Sequence, residues 1–160
     1  KYLDDDIQSG ERTDFCIGIA GYPEKHFEAP NMESDLCYTK AKVEAGADYI
    51  VTQMFFDNQK YFEYVEACRS LGINVPIVPG LKPITKQYQL NSLPRMFFIN
   101  LPEALVKALQ AAKASDAYRE IGIEWCIEQS KELKAKGVPC LHYYTMGDSK
   151  TIRRIVEAVY

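Results

Sequence analysis

Short apolar runs alternate with amphipathic helical segments along this sequence. The apolar runs fall at residues 15–22, 49–56, 75–81 and 139–146. Each run is followed by at least one segment whose apolar residues recur at helical spacing. Strands that are joined through helices pair in parallel, with right-handed crossovers. The sequence therefore predicts an α/β fold with about four parallel strands.

The segments between these runs carry ordinary signals for the starts and ends of helices. Asn31 and Asp57 are favourable N-cap residues, and Gly46 and Gly72 follow the expected helix ends. The second helix is expected to bury four residues: Phe62, Val65, Cys68 and Leu71. The later helices are predicted at residues 85–93, with Pro94 as the boundary, at 102–114, at 116–136 and from Asp148 onward. The helix at 102–114 is therefore additional to the strand–helix alternation.

Two architectures are compatible with this alternation: an open doubly wound sheet and part of a (β/α)8 barrel. An open sheet that binds a dinucleotide usually has a glycine-rich turn after its first strand, where this sequence has Tyr22-Pro23-Glu24. A complete barrel needs about 250 residues. We therefore predict that residues 1–160 form one partial domain, half of a (β/α)8 barrel. Residues 1–13 are polar and acidic and are predicted to be a loop or frayed end.

The composition narrows the class of protein. The net charge is −3 with mixed signs, which gives no basic surface for nucleic acid or an anionic membrane. No apolar run is long enough to cross a bilayer. The five scattered cysteines favour reduced thiols in the cytoplasm over a disulfide framework. The chain begins at Lys1 without a methionine, so a processed or excised piece is expected.

The run Tyr49–Asp57, YIVTQMFFD, contains an unusual polar residue. Ile50 and Thr52 are β-branched, as expected for a buried strand, but Gln53 follows them inside the apolar run. Burying an unpaired amide costs about 1–3 kcal/mol. Gln53 is therefore either satisfied by nearby backbone or directed at a ligand, and the pattern leaves both interpretations open.

Parallel α/β folds place their sites at the carboxyl ends of the strands. Polar and aromatic residues gather at these positions: Tyr22 with His26, Gln53 with Asp57, Gly80 with Lys82, and Tyr144 with Thr145. Such a set suits a flat heteroaromatic ligand. The two histidines lie in different units, without carboxylates at ligand spacing, so no metal site is predicted.

Each of these candidates also has an ordinary structural explanation. Tyr22 could cover the core, His26 could be a surface residue, and His142 could be a core histidine. Asp35 could complement a helix dipole and Lys42 could be a solvated cation. The pattern alone identifies a ligand-binding edge and no reaction.

Four segments resemble the methylenetetrahydrofolate reductase family, in its short bacterial form. They are AGYPEKH with Glu28-Ala29 at residues 20–29, VEAGADYIVTQMFFD at 43–57, PIVPGLKPI at 76–84 and LHYYTM at 141–146. The resemblance spans nearly the whole chain. It implies a (β/α)8 barrel that holds FAD at the carboxyl ends of its strands. It also implies that NADH or NADPH supplies electrons for reducing 5,10-methylenetetrahydrofolate to 5-methyltetrahydrofolate.

The resemblance also implies roles for individual residues. The positions matched to FAD contacts are Ile19, Ala20, Gly21, Tyr22, His26, Asp35 and Lys42. Gln53 matches a glutamine that binds the folate pterin and helps to position the nicotinamide donor. Gln89, more loosely, and Tyr144 match positions near the folate.

The sequence departs from the family pattern at several positions. Gly147-Asp148 stand where relatives often have Asn-Arg, and Leu93 stands where some have phenylalanine. The family's proton-donating glutamate and the aspartate that tunes the flavin belong to strands of the other half of the barrel. No catalytic residue is therefore expected in this half.

These features lead to one expected function and two alternatives. We expect half of an FAD-dependent reductase, inactive by itself, from a homo-oligomeric enzyme. The uncovered strands of the isolated half should make it self-associate. One alternative is a non-catalytic flavin- or folate-binding half barrel that acts as a structural or interaction subunit. The other, a barrel enzyme for a phosphorylated substrate, is disfavoured because Gly80-Leu81-Lys82 is no glycine-rich phosphate loop.

Overall fold

The computed structural model describes residues 15–160, so the loop predicted at residues 1–13 lies outside the described residues. The strands are β1 (Gly18–Gly21), β2 (Tyr49–Thr52), β3 (Ile77–Val78), β4 (Gly80–Leu81) and β5 (His142–Tyr143). The helices are α1 (Met32–Glu44), α2 (Asn58–Ser70), α3 (Gln89–Phe97), α4 (Glu103–Ala111), α5 (Ser115–Ala135) and α6 (Ser149–Val159).

The strands pair in parallel, in the order β1-β2-β3 and then β4-β5. β3 and β4 belong to one extended stretch that is interrupted at Pro79, whose carbonyl accepts a hydrogen bond from His142 N at 3.0 Å. The same chain stretch therefore pairs with β2 on one side and with β5 on the other. Parallel strands in sequential order, with helices between them, form half of a (β/α)8 barrel, as predicted.

Alternation along the strands separates an outer face from an inner face. Ile50 and Ile77 are buried against the helices, in a core cluster with Tyr61, Cys68 and Ile123. The alternate residues, Ala20, Val51 and Val78, lie in register across the three strands. Because successive side chains point to opposite faces of a strand, these three line the inner face. Ala20 is exposed there.

A second core cluster lies near the carboxyl ends of the strands. Met54 and Phe56 pack with Ile84, Leu105 and Leu109 in this cluster. The additional helix α4 contributes both leucines to this cluster. This cluster supports the chain segments that leave the strands at the site.

Two helix starts match the predicted N-caps, Asn31 and Asp57, and Asp148 caps a third helix at its predicted start. The side chains of Asn31, Asp57 and Asp148 accept hydrogen bonds from Ser34 N, Gln59 N and Thr151 N, at 2.8, 2.9 and 3.2 Å. Each bond satisfies an amide that has no partner inside its helix. Gly46, Gly72 and Gly137 follow helix ends with φ of 113°, 79° and 76°. At these ends the local sequence signals were sufficient.

The predicted strands were too long. The run at 49–56 forms a strand only to Thr52. Gln53 N still donates to Gly21 O at 2.8 Å, and the chain then leaves the sheet. Met54, Phe55 and Phe56 are nevertheless buried, which accounts for their apolar character. The run at 139–146 contains only β5, and the run at 15–22 contains only β1.

Two helix predictions were wrong in detail. The buried residues of α2 are Asn58, Tyr61, Tyr64 and Cys68, of which only Cys68 was predicted. Leu71, just after the helix, is exposed, and Phe62 and Val65 are only partly buried. The hydroxyl of Tyr61 donates to Ile77 O at 2.7 Å, so the tyrosine can replace a purely apolar residue in the core. Helix α3 begins later than predicted, at Gln89, and continues through Pro94 to Phe97.

Candidate functional site

The carboxyl ends of the strands bring together a set of residues that we call the rim: Tyr22, Gln53, Gly80 and Tyr144. The hydroxyl of Tyr144 donates to Thr52 O at 2.9 Å, and Gly80 N donates to Thr52 Oγ1 at 2.9 Å. These two bonds join the ends of β2, β4 and β5. Burial raises the pKa of Tyr144, and the nearby Tyr22 phenol adds to the rise, so both rings are neutral at pH 7.

Gly80 is required for this arrangement. A Cβ atom at this position would collide with Thr52 O and would lie 2.8 Å from the Tyr144 ring. The missing side chain therefore lets Thr52 and the Tyr144 ring approach the end of β4 closely.

The structure satisfies one end of the Gln53 amide with backbone and leaves its other end without a partner among residues 15–160. Its Oε1 accepts a hydrogen bond from Met54 N at 3.0 Å, which satisfies one end of the amide with local backbone. Within residues 15–160 its Nε2 forms no hydrogen bond. The side chain is half-buried and, two residues after Val51, lies on the inner face. The amide can therefore still donate to a ligand at the rim.

A groove of about 620 Å³ lies between the loop after β1 and helix α1. Four of the predicted cofactor-binding residues line it: Tyr22, His26, Asp35 and Lys42. Asp35 and Lys42 are seven residues apart in α1, so they lie on one face of the helix. The structure therefore brings together residues that are up to 20 positions apart in the sequence.

Asp35 is the most unusual residue in the groove. It is only 6% exposed, and its Oδ2 accepts a hydrogen bond from His26 N at 2.9 Å. Within residues 15–160 its carboxylate makes no ion pair and no other hydrogen bond. Buried carboxylates normally have several donors, so further acceptor capacity is open toward the groove. Asp35 does lie in the first turn of α1, as the helix-dipole interpretation requires, but it is buried against the groove.

Of the other groove residues, His26 is held by contacts with its neighbours, whereas Lys42 is not. The His26 ring packs edge-on against Tyr22, with the ring centroids 4.5 Å apart, and its Nδ1 lies 3.8 Å from a Glu28 carboxylate oxygen. Lys42 is exposed, and no ion pair involves it within the described part of the chain. The groove thus offers an aromatic wall, a carboxylate and an uncommitted ammonium group.

The remaining predicted cofactor-binding residues lie in β1. Ile19 faces the outer core, Ala20 lies exposed on the inner face, and Gly21 is buried beneath the hydroxyl of Tyr64. Only Ala20 therefore presents a side chain to the inner face. Ile19 and Gly21 can reach a ligand there only through backbone.

A second cavity, which we call the cleft, has a volume of about 410 Å³ and adjoins Tyr144. Gln89 lines it, and its Oε1 accepts from Thr85 N at 2.8 Å and Lys86 N at 2.9 Å. Gln89 therefore also holds the turn before α3. Leu93 is buried in the second core cluster.

Some residues of β5 and of the two cavities were missed or misjudged. His142 was interpreted as a core histidine, but it is exposed, because only the outer face of β5 packs against helices. Tyr38 lines the groove and was not identified, although it follows Asp35 by three residues and so shares its helix face. Arg119 and Lys86 of the cleft were also missed, since nothing local in the sequence indicates their proximity.

Within residues 15–160, no group of three or more metal-ligating side chains is close enough to hold an ion. All five cysteines are free, and burial raises the pKa of the Cys126 thiol to about 12. No helix in this part of the chain is both long and apolar enough to cross a bilayer. The fold is that of half of a (β/α)8 barrel, with two cavities near the carboxyl ends of its strands.

Comparison with protein families gives a specific match to this half barrel. The family model of methylenetetrahydrofolate reductase matches residues 3–160. The chain belongs to the methylenetetrahydrofolate reductase family.

Individual relatives span a wide range of organisms. The chain is 40% identical to methylenetetrahydrofolate reductase (NADH) 1 of Arabidopsis thaliana, over 86% of this chain and 25% of that protein. It is 37% identical to the probable methylenetetrahydrofolate reductase (NADPH) of Caenorhabditis elegans, over 91% of this chain and 22% of that protein. It is 34% identical to 5,10-methylenetetrahydrofolate reductase of Escherichia coli, over 85% of this chain and 46% of that protein. The chain thus spans a quarter to a half of the length of these relatives.

A solved structure shares the fold at low identity. An uncharacterized protein from Clostridium thermocellum that binds two copies of 5-methyl-5,6,7,8-tetrahydrofolic acid matches with a TM-score of 0.60 and 16% identity. The match covers 91% of this chain and 53% of that protein. At this identity the likeness concerns the fold alone.

Proposed function

We propose that this chain is the second half of the barrel of a flavoenzyme that reduces 5,10-methylenetetrahydrofolate to 5-methyltetrahydrofolate. NADH or NADPH would supply the electrons, and FAD would carry them. The observation that carries this proposal is the groove, where Tyr22, His26, Asp35 and Lys42 meet. Relatives that are named for NADH and for NADPH are about equally similar to this chain, so the donor is left open.

The groove has the chemistry that the ribose and phosphate portion of FAD needs. The buried carboxylate of Asp35 has acceptor capacity for ribose hydroxyls beyond the bond from His26 N. The ammonium group of Lys42 can neutralise a phosphate. Tyr22 and Tyr38 add aromatic surface. The residues present therefore fit the cofactor.

FAD, when bound, supplies the hydride-transfer chemistry, and the protein supplies binding and orientation. Gln53 would hold a planar ring at the inner face through its free Nε2. An amide can donate to or accept from either a pterin or a nicotinamide, so one residue can serve two substrates that bind in turn. Tyr22 and Tyr144, both neutral at pH 7, would flank that ring as apolar surfaces with fixed hydroxyls.

The proposal is tested by assaying two proteins in parallel. The full-length protein that contains this half barrel should oxidise NADH or NADPH only when methylenetetrahydrofolate is present. The 160-residue chain alone should show no turnover, because a proton donor alone typically contributes about 10²–10⁴-fold and none is expected here. Turnover by the isolated chain, or no folate-dependent oxidation by the full-length protein, would contradict the proposal.

The alternative function is a non-catalytic flavin- or folate-binding half barrel. It is favoured by the exposed inner face, where Ala20 is open to solvent in this chain. The same assay separates the two functions. A full-length protein that binds FAD or folate tightly, but turns over neither electron donor, would support the alternative.

A further inference from the structure

The cleft beside Tyr144 contains more positive charge than the chain neutralises. Lys82, Lys86 and Arg119 all line it. Arg119 is committed: it pairs with the Asp148 carboxylate and donates to Thr151 Oγ1 at 3.0 and 3.2 Å. Asp148 in turn caps α6 through Thr151 N at 3.2 Å. The acidic residue of the cleft is therefore already shared by a cation and a helix end.

Lys82 has no such partner. Within residues 15–160 no ion pair or hydrogen bond involves its ammonium group, although the side chain is half-buried. Burial lowers the pKa of Lys82, and the opposing attraction of Asp148 does not restore it. A partly desolvated cation without a paired anion is costly, and an anionic ligand would remove that cost.

The position of Lys82 places it on the ligand side of the sheet. Leu81 is fully buried in the outer core, so the alternation of β4 puts Gly80 and Lys82 on the opposite face. Tyr144 belongs both to the rim and to the wall of the cleft. The hydroxyl of Tyr144 bonds to Thr52 O, next to Gln53, so the cleft adjoins the place where Gln53 would bind a ring. One elongated ligand can occupy both.

We propose that Lys82 is a specificity-determining residue that binds the carboxylates of the folate glutamate tail, with the pterin at Gln53. This inference rests on the proposed function. Folates carry a planar head and, at the far end of a benzoyl group, a glutamate with two carboxylates. Lys86 is exposed on the same cleft and gives a second, weaker cation for a longer tail. Ordinary anion recognition by lysine is sufficient for this role.

The test compares substrates with and without the tail in the full-length enzyme. The variants are Lys82→Met, Lys82→Arg and, as a control for net charge, Lys113→Met at an exposed site outside the cleft. For methylenetetrahydrofolate, Lys82→Met should raise KM about five- to fifty-fold with little change in kcat. For methylenetetrahydropteroate, which lacks the glutamate, KM should be the same in wild type and Lys82→Met. Lys82→Arg should retain most of the wild-type preference, and Lys113→Met all of it.

Other outcomes would overturn the assignment. An equal KM increase for both substrates would show a structural role, and an unchanged KM would show no role. Slower flavin reduction by the nicotinamide donor in Lys82→Met, with folate kinetics unchanged, would show that the Lys82 ammonium group binds the phosphates of the donor instead. If the wild-type protein reduces no folate, the proposed function fails and this inference fails with it. Wild-type folate reduction with unaltered Lys82→Met kinetics overturns this inference alone.

Discussion

At the residue scale, the structure separates groups that serve the fold from groups with unused capacity. The carboxylates of Asp57 and Asp148 and the amide of Asn31 are occupied by backbone N–H groups at helix starts. Asp35 and Gln53 are different, because each has one bond to backbone and keeps further hydrogen-bonding capacity toward a cavity or the inner face. Unused polar capacity in partly buried groups is the main residue-level indication of a ligand site.

Replacing Gln53 with alanine should impair the folate half-reaction selectively. The lost amide donor leaves a pterin atom unpaired at the inner face, which typically costs about 1–3 kcal/mol, or about 5- to 150-fold in rate. Stopped-flow oxidation of the reduced full-length enzyme by methylenetetrahydrofolate measures this effect. The matched control is Gln110→Ala, at an exposed position in α4. Unchanged folate kinetics in Gln53→Ala would show that Gln53 has only a structural role, through its bond with Met54 N.

The buried tyrosines predict how stability changes in alkali. Burial raises the pKa of Tyr61 and of Tyr143 to about 12 each, above the ordinary value of about 10. A raised pKa means that the folded state holds the proton more tightly than the unfolded state does. The stability from these phenols is therefore complete below pH 10 and is lost as the pH rises from 10 to 12.

Urea unfolding at pH 8, 10 and 11 measures this loss. The free energy of unfolding of the wild type should be highest at pH 8 and lower at pH 10 and 11. In the double variant Tyr61→Phe/Tyr143→Phe the decline with pH should be smaller. The double variant also loses the hydrogen bonds to Ile77 O and Ser130 Oγ, so only the pH dependence is compared. A wild-type protein that is equally stable at pH 8 and 11 would contradict the assignment.

At the element scale, helix α5 fixes the position of the segment after β4. Gly122 lies in the middle of α5, where a Cβ atom would overlap the backbone of Ile84. The close approach brings the helix directly against the chain that continues from Lys82 to the second core cluster. Trp125 and Gln129, farther along α5, donate to Phe56 O and Phe55 O at 3.0 and 3.4 Å. The helix therefore also holds the chain after Gln53.

Gly122→Ala should destabilise the protein strongly. Alanine favours a helix by about 1 kcal/mol over glycine, but the overlap with backbone atoms cannot be relieved by a side-chain rotation. We expect a net loss of about 2 kcal/mol or more in the free energy of unfolding, measured by urea titration. Gly72→Ala is the control: nothing lies within 4 Å of its added Cβ, and only its φ of 79° is unfavourable. A loss in Gly122→Ala no larger than in Gly72→Ala would contradict this role.

The helices and strands also show how much of the fold could be predicted from the sequence. Helix ends were predictable because caps and glycines act within three or four residues. The half barrel was predictable because strand–helix alternation limits topology. The extent of the strands was not, because Phe55 and Phe56 are as apolar as strand residues but are buried outside the sheet. The buried face of α2 was not predicted correctly, because tyrosine carries a polar hydroxyl and a hydrophobic pattern does not identify Tyr61 and Tyr64 as core residues.

The site was predictable to a similar extent. Residues of the groove were identified from family resemblance, and the structure brings Tyr22, His26, Asp35 and Lys42 together around one cavity. The burial of Asp35 and the pairing of Arg119 with Asp148 depend on contacts between distant elements. A single sequence carries no direct signal for such contacts.

At the scale of the whole molecule, the chain has one covered face and one open face. β1 pairs only with β2 among the described strands, and Phe15 and Ile17 beside it are 67% and 50% exposed. An unpaired parallel edge next to exposed apolar residues is prone to association. In a complete barrel, further strands would cover this edge and the inner face.

The isolated 160-residue chain should therefore self-associate. Light scattering should give a mass above the 18.2 kDa of one chain, and a dye that reports exposed apolar surface should bind. Ile17→Lys, which places a charge beside the open edge, should reduce the associated fraction. A monodisperse monomer without dye binding would contradict this expectation.

The groove of this half barrel is proposed to hold the ribose and phosphate portion of FAD, and the FAD affinity of an Asp35 variant tests this proposal directly. Asp35→Asn is nearly isosteric and removes the charge. Hydrogen bonds to charged groups contribute about 1.5–3 kcal/mol, so FAD dissociation from the full-length protein should become about 10- to 150-fold weaker. Glu33→Gln, on the exposed side of the same helix, should leave it unchanged. Equal FAD affinities in wild type and Asp35→Asn, measured by flavin fluorescence titration, would contradict the account.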